Sequence, residues 1–296
     1  IGCLTPCKSV GEAINDLAKE TNIKNHIHLN HSDIVKERYS LIPEGGRLSP
    51  PEMLPKHIRR KNFGSTYIRL HRNKLAPTMV PGNNAFPVHP TLNRSLSPRE
   101  AARIQSFPDN HVFAGSRRMQ CILVGNAVAP MVAANIGKEI KKHILNTSYK
   151  GVNKSLIKEK SSIDLVNKRD ILSQNVLKKD SPTFIDLFSG AGGFTIGMNQ
   201  AGFKPLLDAD FDQSVKKTHE FNYGNLKYIH GDLSKPKIKK SLLKELGNQK
   251  VNLIVGGPPC QGFSIFGNRR FVNTQNYNPK SDPRNKLVFT FFDYVK

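Results

Sequence analysis

The chain has 296 residues, of which 38% are hydrophobic, enough to fill one large core or two smaller ones. Its 45 Lys and Arg residues against 23 Asp and Glu residues give a formal net charge of +22, which favours a polyanionic partner. We expect no apolar run as long as a membrane span, and the four scattered cysteines exclude a disulfide framework.

The first part of the chain is polar and irregular. Pro- and Gly-rich stretches such as SLIPEGGRLSPPEMLPKH predict a loop-rich module with short strands. Within it, the basic run PKHIRRKNFGSTYIRLHRNK interleaves aromatic residues with arginines. Such a run can contact phosphates and base edges, although a solvated basic face is the alternative interpretation.

From residue 95 the pattern becomes helical. Ser97 is predicted to be an N-cap, with Pro98 at the first helical position and Glu100 completing a capping box. A second helix is predicted in NAVAPMVAANIGKEIKKHIL. The Lys-, Ser- and Asn-rich residues 146–181 are interpreted as a linker.

Beyond this linker, strands and helices alternate. The segments TFIDLF, KPLLDAD, LKYIHGDL and VNLIVGGPP are predicted to be strands, with helices between them. This alternation predicts an α/β fold, a Rossmann-like, doubly wound parallel sheet that binds ligands at the carboxyl ends of its strands.

A glycine-rich turn, FSGAGG, follows the first of these strands. It lacks both the G-x-G-x-x-G spacing and the Lys-Ser of a P-loop, so a diphosphate is not the favoured ligand. Asp210 ends the second strand, where it can accept hydrogen bonds from a ribose, and Asp232 ends the third, where it can accept from an adenine amino group. A nucleoside such as S-adenosylmethionine fits this pattern, and a different doubly wound enzyme is the alternative.

Cys260 comes directly after the fourth strand and two prolines, in GGPPCQGFS. A lone cysteine is more often an inert apolar residue than a nucleophile. At a strand-to-helix junction, however, a thiolate near amide groups can attack an electrophilic carbon. The position of Cys260 therefore favours a nucleophile.

Five blocks resemble motifs of the cytosine-5 DNA methyltransferase family. DLFSGAGGF resembles its cofactor motif, GGPPCQGFS its catalytic Pro-Cys motif, and DPRNKLVFTFF the segment that follows. NRSLSPREAARIQSFPD resembles the late helix motif, and VGNAVAPMVAANIG the final motif, whose Asn turn returns to the cofactor.

The resemblance implies methyl transfer from S-adenosylmethionine to C5 of a flipped-out cytosine in a specific duplex DNA sequence, in restriction-modification. Cys260 would add to C6 of the cytosine, and Pro259 would shape the cysteine loop. Asn252, where the family often has Asp, would affect packing more than chemistry. The cofactor would contact Phe188, Gly190, Gly192, Asp210, Phe211, Asp232, Leu287, Asn126 and Ala127. DNA would be contacted by Gln261, Ser264, Arg59, Arg60, Arg69 and Arg72.

The order of these motifs departs from that of the family, because the last two motifs come first. The chain is therefore predicted to be circularly permuted, which a closing helix packed beside the first strand would permit, or to be a window across two fused copies. The expected divisions are a target-recognition-like region at 1–75, the late helix and Asn motifs at 76–145, the linker, and an incomplete catalytic domain at 182–296. A complementary polypeptide or segment would supply the family's Glu and Arg motifs.

Two other functions remain open from the sequence. One is an RNA cytosine-5 methyltransferase, and the other is a DNA-binding half that is inactive without its complement. The few cysteines favour a reducing compartment, which suggests a cytoplasmic protein acting at a bacterial nucleoid. No metal site is predicted, because Cys3 and Cys7 lack a second pair of ligands.

Overall fold

The computed structural model describes residues 7–20, 22–61, 63, 66–79, 86–148, 172, 180–259 and 282–296. The chain divides into two compact units, with the boundary between Met131 and Val132. The first unit contains helices α1 to α4, which are Val10–Ile14, Asp33–Ser40, Pro98–Ile104 and Arg117–Asn126. Helix α5, Pro130–Ser148, contains the boundary.

The first unit is rich in loops, as predicted, but the expectation of short strands was wrong for its described residues. There the β-type pairing consists of isolated bridges, such as Arg47 with Ile68 and Val88 with Ser95. Frequent Pro and Gly explain this, since they interrupt ladders before a strand can extend. A small core that includes Tyr39, Ile42 and Tyr67 holds the loops together.

The first helix after residue 95 begins where the capping signals predict. The Ser97 side chain accepts from the backbone N–H of Glu100, the Glu100 side chain accepts from the Ser97 backbone, and Pro98 is the first helical residue. The prediction of one helix from residue 126 needs correction, because Asn126 ends α4 and α5 begins at Pro130. Proline disfavours the helical conformation of the residue before it, so it fits a helix start better than an interior.

The expectation about apolar runs also needs correction. Residues 119–137 carry no charged side chain, and the segment Arg117–Ile144 is long and apolar enough to cross a membrane by length and composition. This is weak evidence, because core helices of soluble proteins pass the same test. Here the segment comprises two helices with a break between them, and Cys121 and Val124 are buried in the first unit.

The second unit contains the predicted parallel sheet. Its strands are β1 Thr183–Leu187, β2 Lys204–Asp210, β3 Lys227–His230 and β4 Leu253–Gly256, in the order β3-β2-β1-β4 with every pairing parallel. The helices are α6 Gly193–Gln200, α7 Gln213–Tyr223, α8 Pro236–Leu246 and α9 Lys286–Val295. The predicted α/β fold is confirmed.

Apolar side chains cover both faces of this sheet. On one face Phe184 of β1 packs in a cluster with Phe203, and Ile140 and Ile144 of α5 pack against it. On the other face Leu207 packs in a cluster with residues of α8, and α9 packs against it. Helix α5 is thus the expected closing helix beside β1. Burial on both faces explains why the strands read as continuous apolar runs.

Candidate active site

The carboxyl ends of the four strands meet at one edge of the sheet. Leu187 of β1 pairs with Ala209 of β2 on one side and with Gly256 of β4 on the other. A Cβ atom built on Gly257 would lie 3.8 Å from the carbonyl oxygen of Phe188. The segment that leads to Cys260 therefore leaves the sheet beside the glycine loop.

The described residues stop at Pro259, which is half-buried, and resume at Asp282. Cys260, Gln261 and Ser264 lie outside them, so the predicted nucleophile and its two neighbours stay predictions.

The glycine loop turns sharply through left-handed backbone. Gly190 and Gly192 have φ angles of 53° and 81°, and Phe188 has a φ of 56°. A Cβ on Gly192 would overlap the hydroxyl of Tyr223, which donates a 3.2 Å hydrogen bond to the Gly192 carbonyl. A Cβ on Gly190 would meet no atom of the described part of the chain within 4 Å. Open space therefore adjoins the loop at Gly190, just before α6 begins.

Asp210 fastens this loop to the end of β2. One of its carboxylate oxygens accepts from the Gly190 N–H at 3.0 Å, and the other accepts from the Asp212 N–H at 3.0 Å. Burial raises the pKa of Asp210, while these amide hydrogen bonds favour the ionised form. Each carboxylate oxygen can accept a further hydrogen bond, so the capacity to bind hydroxyl groups is retained.

An aromatic ring and a second carboxylate stand next to Asp210. Phe211 is 62% exposed, and its carbonyl contacts the His230 ring nitrogen at 2.8 Å. Asp232 is exposed, and hydrogen bonding from Ser234 lowers its pKa, so it is an ionised acceptor. An exposed ring face beside an acceptor suits a flat heterocycle with an amino group. Leu287 is half-buried on α9.

The remaining predicted cofactor contacts belong to the first unit. Asn126 is the last residue of α4, and Ala127 is its C-cap. The Gln105 side chain donates to the Val124 carbonyl, which ties this helix end to the residue after α3. Contact of Asn126 and Ala127 with the cofactor stays a prediction.

The prediction that Arg69 contacts DNA was wrong. Its side chain is 5% exposed, and its guanidinium group donates to four backbone carbonyls and one side chain at 2.5 to 2.9 Å. The acceptors lie on Tyr39, Ile42, His89, Leu92 and Asn93. All N–H groups of this guanidinium donate to acceptors within the protein, so Arg69 stabilises the first unit.

The other three arginines of the basic run are exposed. Arg72 forms a two-pronged ion pair with Glu44, and the hydrogen bond from Arg72 lowers the pKa of Glu44 to about 2. Arg59 donates to the carbonyls of Leu54 and Glu52. For Arg59, Arg60 and Arg72, DNA contact stays a prediction, and the charge of Arg72 is already balanced in part.

Sequence reasoning missed a buried polar cluster beneath the loop. Thr195 of α6 donates towards Asp186 and Asp208, which lie inside β1 and β2. The sequence did contain a signal for this cluster, since a carboxylate within an apolar strand needs a hydrogen-bond partner. Asn252 has the expected packing role, because its side-chain oxygen accepts from the Thr183 N–H at 2.9 Å and joins β4 to β1.

Comparisons with known proteins agree with this geometry. The family model for C-5 cytosine-specific DNA methylase matches residues 5–142 and 182–296. Type II methyltransferase M1.HphI of Haemophilus parahaemolyticus is 38% identical over 127 residues, which are 42% of this chain and 32% of that protein. Putative type II methyltransferase M.MJ0563P of Methanocaldococcus jannaschii is 37% identical over 135 residues, 46% of this chain and 40% of that protein.

Type II methyltransferase M.AquIB of a Picosynechococcus species is 32% identical over 139 residues, 43% of this chain and 94% of that protein. The chain thus spans about a third of M1.HphI but nearly all of M.AquIB. The family model covers most of the chain, on both sides of residues 143–181. With the parallel sheet and the glycine loop at its carboxyl edge, this match shows that the chain belongs to the C-5 cytosine-specific DNA methylase family.

Proposed function

We propose that the chain acts in DNA (cytosine-5) methylation, as part of a type II restriction-modification system. The observation that carries the proposal is the open space beside Gly190, at the edge where Asp210, Phe211 and Asp232 meet. The Pro-Cys segment leaves the sheet at the same edge. A methyl donor and a nucleophile would therefore share one site.

S-adenosylmethionine is the proposed methyl donor, and it would supply an electrophilic methyl group. Gly190 leaves room for it, since no atom of the described residues occupies the space that a side chain there would fill. Asp210 would accept from its ribose, while Phe211 and Asp232 would hold its adenine. Phe188, Gly192 and Leu287 would line the pocket, and Asn126 with Ala127 would close it.

In the proposed mechanism the Cys260 thiolate forms a bond to C6 of a cytosine turned out of the duplex. The electron pair of the C5–C6 double bond would then form a bond from C5 to the methyl group, and the methyl–sulfur bond would break to leave S-adenosylhomocysteine. Loss of the C5 proton and cleavage of the sulfur–C6 bond regenerate the thiolate. Pro259 would hold the cysteine loop, with Gln261 and Ser264 facing DNA.

Duplex DNA is the proposed substrate because the chain has a formal net charge of +22 and an exposed basic run. Arg59 and Arg60 would contact phosphates from the target-recognition-like region at 1–75. An RNA substrate remains the alternative, and no described feature favours it.

We also propose that a complementary polypeptide or segment completes the sheet, as permuted or fused motif order would require. Within the described sheet, β4 has a neighbour only in β1. Helix α9 beside it exposes Phe289, Phe292 and Val295. An unpaired strand next to an apolar helix face is a surface that another strand and helix can cover.

Covalent trapping tests the proposed chemistry. Duplex DNA containing 5-fluorocytosine should form a stable adduct with the protein in the presence of S-adenosylmethionine, because fluorine cannot leave as the C5 proton does. Cys260→Ser should abolish the adduct, whereas Cys7→Ser, at an exposed cysteine far from the site in sequence, should retain it.

An adduct with 5-fluorocytosine in RNA and none with DNA would favour the RNA alternative. Absence of any adduct until a complementary polypeptide is added would identify the chain as an inactive half. An adduct that survives Cys260→Ser would contradict the proposed nucleophile.

A further inference from the structure

Two aspartates face each other inside the sheet, beneath the glycine loop. Asp186 of β1 is the register partner of Asp208 of β2, and their side chains are 0% and 1% exposed. Thr195, in the first turn of α6, is also fully buried. None of the roles proposed above uses these three residues.

The Thr195 backbone N–H donates to Asp186, but the single Thr195 hydroxyl lies between both carboxyl groups. The Thr195 hydroxyl oxygen lies 2.9 Å from a carboxyl oxygen of Asp186 and 3.0 Å from one of Asp208. A hydroxyl group has one hydrogen, so it can donate to only one of them. The other contact is a hydrogen bond only if that aspartate is protonated and donates to the threonine oxygen.

Among the described residues, no Lys or Arg forms an ion pair with either carboxylate. The His219 ring on α7 lies 3.6 Å from Asp208, beyond a hydrogen bond, and burial lowers its pKa to about 4. Burial also raises the pKa of Asp186 and of Asp208, and the neighbouring Asp186 raises that of Asp208 further.

Other titratable groups around the pair are acids. Asp210 on β2 adds negative charge near Asp186, and it is already held by backbone amides. Tyr223 on α7 donates to the Gly192 carbonyl, and its pKa is raised by burial. Burial likewise raises the pKa of Tyr228 on β3. Strand β4, Leu253–Gly256, carries no ionisable side chain.

We propose that Asp186 and Asp208 share a single proton through Thr195, and that this half-protonated pair positions the start of α6 and the glycine loop before it. Thr195 is bonded to both strands, two residues after α6 begins. The three side chains are positioning residues, since they act on the cofactor pocket through the backbone that they hold.

The shared proton links stability to pH with a definite sign. The folded pair keeps its proton to a pH well above 3.8, near which an unfolded aspartate loses it. The pair therefore stabilises the fold fully below the unfolded pKa, and this contribution is lost as the pH rises through the folded pKa.

His219 has the opposite effect between its folded pKa of about 4 and its unfolded value of 6.5, because it stays neutral in the fold. The two contributions cancel in that window. Above pH 6.5, until the folded pair loses its proton, the unfolding equilibrium constant should rise by up to about tenfold for each unit of pH.

Carbon-13 NMR of the protein labelled at aspartate carboxyl carbons tests the proton count. At pH 7 the pair should show one protonated carboxyl equivalent, which titrates well above the 3.8 of an ordinary aspartate. Asp208→Asn should remove it, because Asp186 can then ionise and accept from Thr195. Two ionised or two protonated carboxyl groups at pH 7 would overturn the proposal, and the wild-type spectrum decides this even if the variant fails to fold.

Affinity for S-adenosylhomocysteine gives a second readout, which rests on the proposed function. Thr195→Val should lower the affinity about tenfold, and Thr195→Ser, which keeps the hydroxyl, should restore it. Equal affinities of the Val and Ser variants would overturn the positioning role. If the wild type binds no S-adenosylhomocysteine, the proposed cofactor fails, and the proton count still stands or falls on the NMR spectrum.

Discussion

Arginines nine positions apart in the basic run have opposite environments. Arg60 is exposed, whereas the guanidinium group of Arg69 is buried and hydrogen-bonded to backbone carbonyls. The two cannot be told apart by composition, since both lie in a Lys- and Arg-rich stretch. Burial decides which one is free to bind a phosphate and which one holds the loops together.

This difference predicts divergent effects of truncation. Arg69→Ala should lower the free energy of unfolding by about 3 to 5 kcal/mol, because several buried carbonyls lose their donor. Arg60→Ala should change it by less than about 0.5 kcal/mol and weaken DNA binding instead. Urea denaturation and DNA titration of both variants measure these effects. Equal stabilities would contradict the structural role of Arg69.

The two glycines of the loop give a second matched pair. Alanine at either position is strained by its positive φ, which costs about 1 to 2 kcal/mol. Gly192→Ala should cost more, because the new methyl group would collide with Tyr223. Gly190→Ala should retain most of the stability but lower S-adenosylmethionine affinity about tenfold or more, since its methyl group enters the proposed pocket.

Thermal denaturation and calorimetric titration distinguish the two outcomes. If Gly190→Ala bound the cofactor as tightly as the wild type, the open space beside Gly190 would not be the cofactor site.

At the scale of elements, the N-terminus of helix α3 shows how burial changes the environment of a capping box. Its capping box joins Ser97 and Glu100, both fully buried, and Glu100 also accepts two hydrogen bonds from Arg94 at 2.7 and 2.8 Å. The same box at α1, between Ser9 and Glu12, has the exposed Glu12 as its second member. The same capping-box pattern is therefore buried at α3 and partly exposed to solvent at α1.

Removing the two caps should therefore have unequal effects. Ser97→Ala should lower the free energy of unfolding by about 2 kcal/mol, because a buried N–H of Glu100 loses its acceptor. Ser9→Ala should cost about 0.5 to 1 kcal/mol, since water can replace the cap. Chemical denaturation of both variants provides the test, and a larger effect at Ser9 would contradict it.

At the scale of the whole molecule, the large positive charge is the property that best predicts the kind of partner. A formal net charge of +22 over 296 residues places many cations on the surface, and several of the surface ion pairs described are single contacts between exposed partners. Such pairs contribute little to stability. The excess charge is therefore better explained by a polyanionic substrate than by folding.

DNA affinity should accordingly depend steeply on salt. If six to ten phosphates are contacted, the association constant should fall by about 10³ to 10⁵ between 50 and 200 mM salt, because bound counterions are released from the duplex. Fluorescence anisotropy over a salt series measures the slope. A slope near zero would argue against phosphate contacts as the source of affinity.

The sequence by itself determined the α/β class, the order of strands and helices in the second unit, and the family. Apolar runs, capping residues and glycine turns are local signals, so they can be recognised without knowledge of the partner that each segment packs against. The same signals located Asp210 at the end of β2, whereas Asp232, predicted to end the third strand, lies two residues after β3.

Only the tertiary structure decided the role of Arg69, the break between α4 and α5, and the cluster of Asp186, Thr195 and Asp208. In each case the outcome depends on groups that are distant in the chain. Whether a charged side chain is free, paired or protonated is set by the atoms around it, and those neighbours are brought together only by folding.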